Sequence, residues 1–379
     1  MPLLNNMQSI QNYNLIFILL LNNKMMVIQK YMRLKQLFYL VLLCSFITCQ
    51  YPIDSYVQAT KKRFLLINAD LTDIYGKVTV EYSVDEISIS NVYTSPPEVK
   101  AEIYVEDSKG VKVPFTNKIE NKNFHGVVGE TYKLFINADG KRYESSPEVM
   151  PKCPEIDSIS ATFKQDLDYP ASNPLRNAFD VYVYAQDYST EGNYYQWDWV
   201  HYSRNIYCGT ANYRGSPANL PCATDCWNIG LSEKINVLAD KLVNGQNMRI
   251  AVARIPYQSP PRYYLKIEQR AISKTAFNYF KSLEKQTQSN GSLFDVPAQT
   301  LFSPNVKGIT DPTEKILGIF NVFSSRKKII YVDMTQEIPG VIRLVTPNEF
   351  PPYPYPYPST PPCVEGPYRT RIKPEGWVE

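Results

Sequence analysis

His125 and His201 are the only two histidines among 379 residues, and neither has a second histidine or an acid at the spacing that a metal site or a general base requires. No Gly-x-Ser-x-Gly or His-Glu-x-x-His pattern occurs, so the sequence supports neither a hydrolytic triad nor a common zinc hydrolase centre. The other chemistry lies in seven cysteines. Cys222 and Cys226 have metal-like spacing but no second pair of ligands, and in an exported chain they read as disulfide sulfur. After Cys49 come Cys153, Cys208, Cys222, Cys226 and Cys363, an odd number that leaves at least one without a partner in the chain. Cys208 and the Cys222/Cys226 pair flank Gly209–Pro221, a loop with glycine, proline and little apolar content. A bridge from Cys208 to Cys222 or Cys226 is expected to close it, and restricting the unfolded loop stabilises by ~3 kcal/mol. Asp198 with Asp187 or Asp225 would be glycosidase acids only if a cleft held two carboxyls ~5–10 Å apart. The expectation is a chain without catalytic residues, metal or cofactor.

The compartment follows from Met32–Cys49. Arg33 and Lys35 give a positive start, Leu37–Ile47 an apolar core, and Phe46-Ile47-Thr48-Cys49 a lipobox-like ending, which together form a lipoprotein signal peptide over 32–48. Cys49 is then the lipidated first residue of the mature protein, held to the membrane by acyl chains and not by a spanning helix. Cys44 competes for that role but follows Leu43, a poorer fit. Residues 1–31 precede a complete signal, so translation is expected to start at Met32.

Forty Lys and Arg oppose 37 Asp and Glu, a balance that gives no strong field for nucleic acid. The 29 tyrosines and 29 prolines suit strands interrupted by turns. After a spacer at 49–60, Phe64–Asp70, Lys77–Ser83, Val99–Glu106, Thr131–Ala138 and Lys141–Glu144 read as short strands, two of them joined by the Asp139-Gly140 turn. They predict an all-β architecture: an immunoglobulin-like or transthyretin-like sandwich over 61–150, then a larger sandwich over 151–335, with the proline-rich 147–154 between them. The second sandwich takes strands from Ile156–Phe163, Phe179–Asp187, Gly192–Val200, Met248–Ile255 and Tyr263–Ala271. Tyr195, Trp197 and Trp199 share one face, which is a core pattern before it is a sugar platform. Ser273 caps one helix over 273–286, with Ala276, Phe277, Phe280 and Leu283 as its buried stripe. Ile316–Phe323 returns as a closing strand, and Arg326-Lys327-Lys328 reads as a solvated turn before another at Ile329–Val332.

The order Cys49-Gln-Tyr-Pro-Ile-Asp54, Gly129-Glu-Thr-Tyr-Lys-Leu134, Pro154-Glu-Ile-Asp-Ser158, Gly192-Asn-Tyr-Tyr195, Cys226-Trp227, Ile272–Phe277, Gly291–Pro297 and Leu317-Gly-Ile-Phe320 resembles domain-of-unknown-function family 4249 of Bacteroidota. The resemblance covers nearly all of residues 49–335. It implies an outer-membrane lipoprotein that is accessory to a TonB-dependent receptor, and it carries over no catalytic residue. Gln50-Tyr51 stands where many such relatives have acidic residues.

Residues 336–379 form a tail of different character. Pro351–Pro358 alternates proline with tyrosine and can make neither a helix nor a full ladder, so an extended strap is expected. It either docks on a partner or returns Cys363 and Trp377 to the body. Contact is expected at Tyr207 to Trp227 in the second sandwich, or at Tyr353, Tyr355 and Tyr357, because tyrosine offers large contact area at little entropic cost. A freestanding glycan-binding or adhesion lipoprotein is the second reading of the same tyrosines, and a hydrolase the third.

Overall fold

Ile316–Asp333 is a continuous strand of 18 residues, and both halves of the protein are assembled on it. The computed structural model describes residues 63–83, 98–258, 262–287, 300–343 and 350–378. The expected signal peptide at 32–48, the spacer and Cys49 lie outside the described residues. Arg63–Glu379 forms one compact unit. Its elements in order are β1 (Leu65–Thr72), β2 (Gly76–Tyr82), β3 (Ala101–Asp107), β4 (Lys112–Phe115), β5 (Glu120–Asn121), β6 (Thr131–Ala138), β7 (Lys141–Ser145) and β8 (Glu148–Val149). The second half adds β9 (Ser158–Gln165), β10 (Asn177–Gln186), β11 (Tyr194–Arg204), β12 (Tyr207–Tyr213), β13 (Ser216–Pro221), β14 (Trp227–Leu231), β15 (Asn236–Ala239), β16 (Asn247–Pro256) and β17 (Arg262–Ile272). The helix α1 (Lys274–Thr287), β18 (Val306–Gly308), the long β19 (Ile316–Asp333) and β20 (Arg369–Thr370) complete the chain.

The chain is mostly β, in several sheets packed as sandwiches, with one α-helix among the described residues. A nine-stranded sheet runs β20-β14-β11-β17-β19-β1-β2-β5, with β15 also on β11. Two smaller sheets cover the face of it to which the even-numbered residues of β19 point. Ile316, Phe320 and Val322 join Leu65, Ile67, Val78, Leu134 and Ile136 in a core shared with the β18-β7-β6-β3-β4 sheet. Val332 joins Phe179, Val181, Tyr195, Trp197 and Ile267 in a second core, shared with β16-β10-β9. The first sandwich is thus completed by residues far beyond 147–154, since β1 runs parallel to the first half of β19 while β17 runs antiparallel to the second half. Between the cores Ser324 is fully buried. Its Oγ accepts from the Cys153 N–H (2.8 Å) and donates to the Pro151 carbonyl (2.6 Å), which fixes the proline-rich linker on the strand. The parallel pairing needs Gly318: its φ is +90°, and a Cβ there would lie 2.2 Å from the Ile67 carbonyl oxygen.

The expected turn at Arg326-Lys327-Lys328 is corrected, because β19 runs through it. A charged run persists inside a strand when each cation has a partner. Arg326 pairs with Asp73 (3.1 Å) and Glu155, Lys327 faces Glu268 (3.4 Å), and Lys328 donates to the carbonyls of Ile156 and Asp157. The expected loop Gly209–Pro221 is also corrected. It is a β12–β13 hairpin, turned at Arg214 and Gly215, whose φ values of 51° and 86° match the twist of a two-residue hairpin turn.

Candidate functional site

The opposite face of the nine-stranded sheet carries the odd-numbered side chains of β19, and three features lie along it. At one end Ile319 and Phe323 pack with Ile272, Ala276 and Val237 under α1. The helix is capped by Ser273, whose Oγ accepts from the Ala276 N–H (3.2 Å). In the middle is a belt of charge, and at the other end the C-terminal strap.

Neighbouring strands build the belt by register: Asp198, Glu268 and Lys327 face one another across β11, β17 and β19, and Gln196, Arg270 and Ser325 form the next row. Arg270 binds Asp198 Oδ2 (2.7 Å) and Glu268 Oε2 (2.5 Å) and covers the Phe323 ring at 4.9 Å. Side-chain exposures of 18% for Arg270 and 14% for Glu268 place those two away from bulk water, while Asp198 at 30% keeps partial access to it. Burial pushes Asp198 and Asp70 above the usual carboxylate range against the attraction of Arg270. Burial acts on Glu268 in the same direction, but Arg270 and Lys327 outweigh it and hold that carboxyl low. Burial opposes the charge of Arg270 as well, and Glu268, Asp198 and Asp70 reverse the sign and raise its pKa. Two carboxyls are thereby driven in opposite directions, the signature of an acid and base pair. Here, however, both grip one guanidinium on the floor of a sheet, so the arrangement fastens strands. Asp187 and Asp225 do not join it. Asp187 accepts from the Tyr195 hydroxyl and the Gly245 N–H (3.0 Å) beside the other face, and Asp225 pairs with Arg204 (3.2 Å).

The strap is tied along its length. Asn219 of β13 donates its N–H to the Pro351 carbonyl, and its own carbonyl accepts from the Tyr353 N–H, both at 2.8 Å. The Ala223 N–H reaches the Pro361 carbonyl (2.9 Å), and Cys363 is bonded to Cys226. β20 then pairs with β14. Past it, Glu375 meets Lys266 (2.5 Å) and Trp377 packs on Trp227 and Tyr264. Of the two expectations for the tail, return to the body is the one observed.

The Cys208 bridge is made to Cys222, with Cα atoms 4.7 Å apart, and Cys226 takes Cys363 instead. Cys153 is the unpaired thiol among the described residues, and burial pushes its pKa up to about 12. Trp227, expected at the contact surface, is corrected: it is 2% exposed, since Trp377 closes over it. Tyr207 is half-buried at the start of β12. Tyr353 packs edge-on against Tyr213, ring centroids 5.2 Å apart. Tyr355 and Tyr357 stand out at 85% and 39% exposure and meet edge-on at 5.9 Å. Val364, Tyr368 and Ile372 on the strap are exposed too, as is Ile206 beside the first disulfide. His201 lies flat on Tyr263 (3.7 Å), and burial lowers its pKa.

The belt is what sequence reasoning missed. Its signal was the alternation Lys266, Glu268, Arg270 along one strand, which looks the same whether the polar face meets water or a buried counter-charge. No helix among the described residues is long and apolar enough to cross a membrane. No curated protein matches the chain. A family model does match over residues 50–329, and this protein therefore belongs to the family described as domain of unknown function DUF4249.

Proposed function

We propose that this protein acts by contact, as a non-catalytic lipoprotein anchored through Cys49 in the outer membrane and accessory to a TonB-dependent receptor in cargo recognition or uptake. The observation that carries the reading is the strap: Tyr355 and Tyr357 project from a segment that Asn219 and the Cys226–Cys363 bridge hold in place. Exposed aromatics on a pre-ordered backbone make contact without the cost of ordering a loop at the moment of binding. The carboxylates that could otherwise do acid-base work are engaged with Arg270.

The test is affinity purification from native membranes in mild detergent, with a tag after Glu379. It should recover one TonB-dependent receptor in near-stoichiometric yield, and Y355A/Y357A should reduce that yield by about tenfold or more, as loss of two interface tyrosines does. Recovery of the lipoprotein alone in several detergents overturns the reading. Tight binding of a soluble glycan by the isolated protein, lost in the same double variant, puts the glycan-binding lipoprotein in its place.

A further inference from the structure

The two disulfides are side by side. The Sγ atoms of Cys208, Cys226 and Cys363 all lie within 4.8 Å of one another, and Cys222 is bonded to the first of them. A cavity of about 490 Å³ opens against this cluster, with Ile206, Cys222, Cys226 and the Arg204–Asp225 ion pair in its wall. Cys222 and Cys208 are half-buried, whereas Cys226 and Cys363 are buried. Of the outer pair, Cys222 lines the cavity and Cys208 does not.

We propose that this cluster is a thiol–disulfide exchange site, through which an external dithiol reductant opens the Cys226–Cys363 bridge by way of Cys208. The reductant's thiolate enters the cavity and attacks Cys222 Sγ, the half-buried sulfur of its wall. A bond forms between that thiolate and Cys222, and Cys208 leaves with the electron pair as a thiolate. Cys208 is then next to the inner bridge. It attacks Cys226 Sγ, the Cys208–Cys226 bond forms, and Cys363 leaves as a thiolate that takes a proton. The reductant's second thiol closes on its own sulfur in the mixed disulfide and releases Cys222, again as a thiolate that is protonated. The balance is two electrons: the dithiol is oxidised to its disulfide, and the protein exchanges two bridges for one, with Cys222 and Cys363 free. The new pairing joins positions 18 residues apart, a loop close in size to the one it replaces. Its consequence is local. The covalent tie of the strap to β14 is lost, while Asn219 and Trp377 still hold the ends.

The test takes the purified full chain with one equivalent of a reduced thioredoxin-type dithiol, quenches by alkylation at intervals, and maps the cysteines. The expected result is alkylation of Cys222 and Cys363 together, with a Cys208–Cys226 cross-linked peptide. In C208S/C222S the inner bridge should open at least about tenfold more slowly at the same dose, since the attack is no longer intramolecular. Alkylation of Cys208 and Cys222 with Cys226–Cys363 intact overturns the proposal. So does an inner bridge that opens equally fast in the double variant. The wild-type time course decides the matter by itself if the double variant does not fold.

Discussion

Arg270→Met tests whether the charged belt is a buried network or a solvated face. The substitution keeps a flexible stem on Phe323 and removes the guanidinium. Asp198 is then left with the Gln196 amide at 3.4 Å, and Glu268 with Lys327 at 3.4 Å. Removing one partner of a buried ion pair costs about 3–5 kcal/mol, because the other charge stays behind without compensation. Asp198 retains some access to water, so the lower end, ~3 kcal/mol, is expected. For a unit the size of Arg63–Glu379 the unfolding entropy is on the order of 0.7 kcal/mol/K, so Tm should fall by about 4–5 °C. The pH dependence sharpens the test. Without Arg270 the orphaned carboxyls have folded pKa values raised above their unfolded ones, so the folded state binds more protons and the variant loses stability as pH rises through those values. The deficit against wild type should therefore shrink on going from neutral pH toward about 5 and grow in the other direction. Thermal unfolding of both proteins across that range measures it. A change in Tm under about 1 °C, or a deficit that does not vary with pH, would refute the argument that these charges are desolvated.

Three other outcomes follow from the same packing. Gly318→Ala should destabilise by at least ~2 kcal/mol in urea unfolding, since the residue has a left-handed φ and its new Cβ would meet the Ile67 carbonyl. Asp70→Asn should flatten a slope in the wild-type pH profile. Burial raises this carboxyl, so the wild type loses stability as pH rises from the unfolded value near ~4 through the higher folded one, and the amide does not titrate. Loss of the Cys226–Cys363 bridge, with a sequence separation of 137, should cost more than loss of Cys208–Cys222, with a separation of 14. Loop closure gives about 5 against about 3 kcal/mol, measured as the difference between C226S/C363S and C208S/C222S in denaturant midpoint at constant slope.

Local signals in the sequence identified most strands and the helix, because each rests on its own residues. Tyr195 and Trp197 alternate into the core as their period requires, and Ser273 caps α1 as its position before Ala276 requires. What the sequence hid were matters of partnership. Arg326-Lys327-Lys328 looks like a turn until Asp73, Glu155, Glu268 and two carbonyls are brought to it from elsewhere. The spacing of Cys208, Cys222 and Cys226 left two pairings open, and the arrival of Cys363 from the tail leaves Cys222 as the partner of Cys208.

The long strand explains why one face of the large sheet is dry and the other mixed. Its even residues must serve two cores in succession, so they are apolar except at Ser324, Arg326 and Lys328, which meet the linker Pro151–Asp157 where it crosses. Its odd residues have no second sheet to meet. They are covered in turn by a helix, by counter-charges from β17 and β11, and by a strap from the far end of the chain. A helix covers its stretch with an apolar stripe, and the belt neutralises its own. The strap has no helix and only the two-residue ladder of β20 to hold it, and it depends on Asn219, a disulfide and Trp377. The part of the fold with the least secondary structure thus needs the most specific ties, and it is also the part on which Tyr355 and Tyr357 are displayed. A contact surface placed there can be altered by breaking one bond without disturbing either core, a separation that a surface built on the sandwich strands would not have.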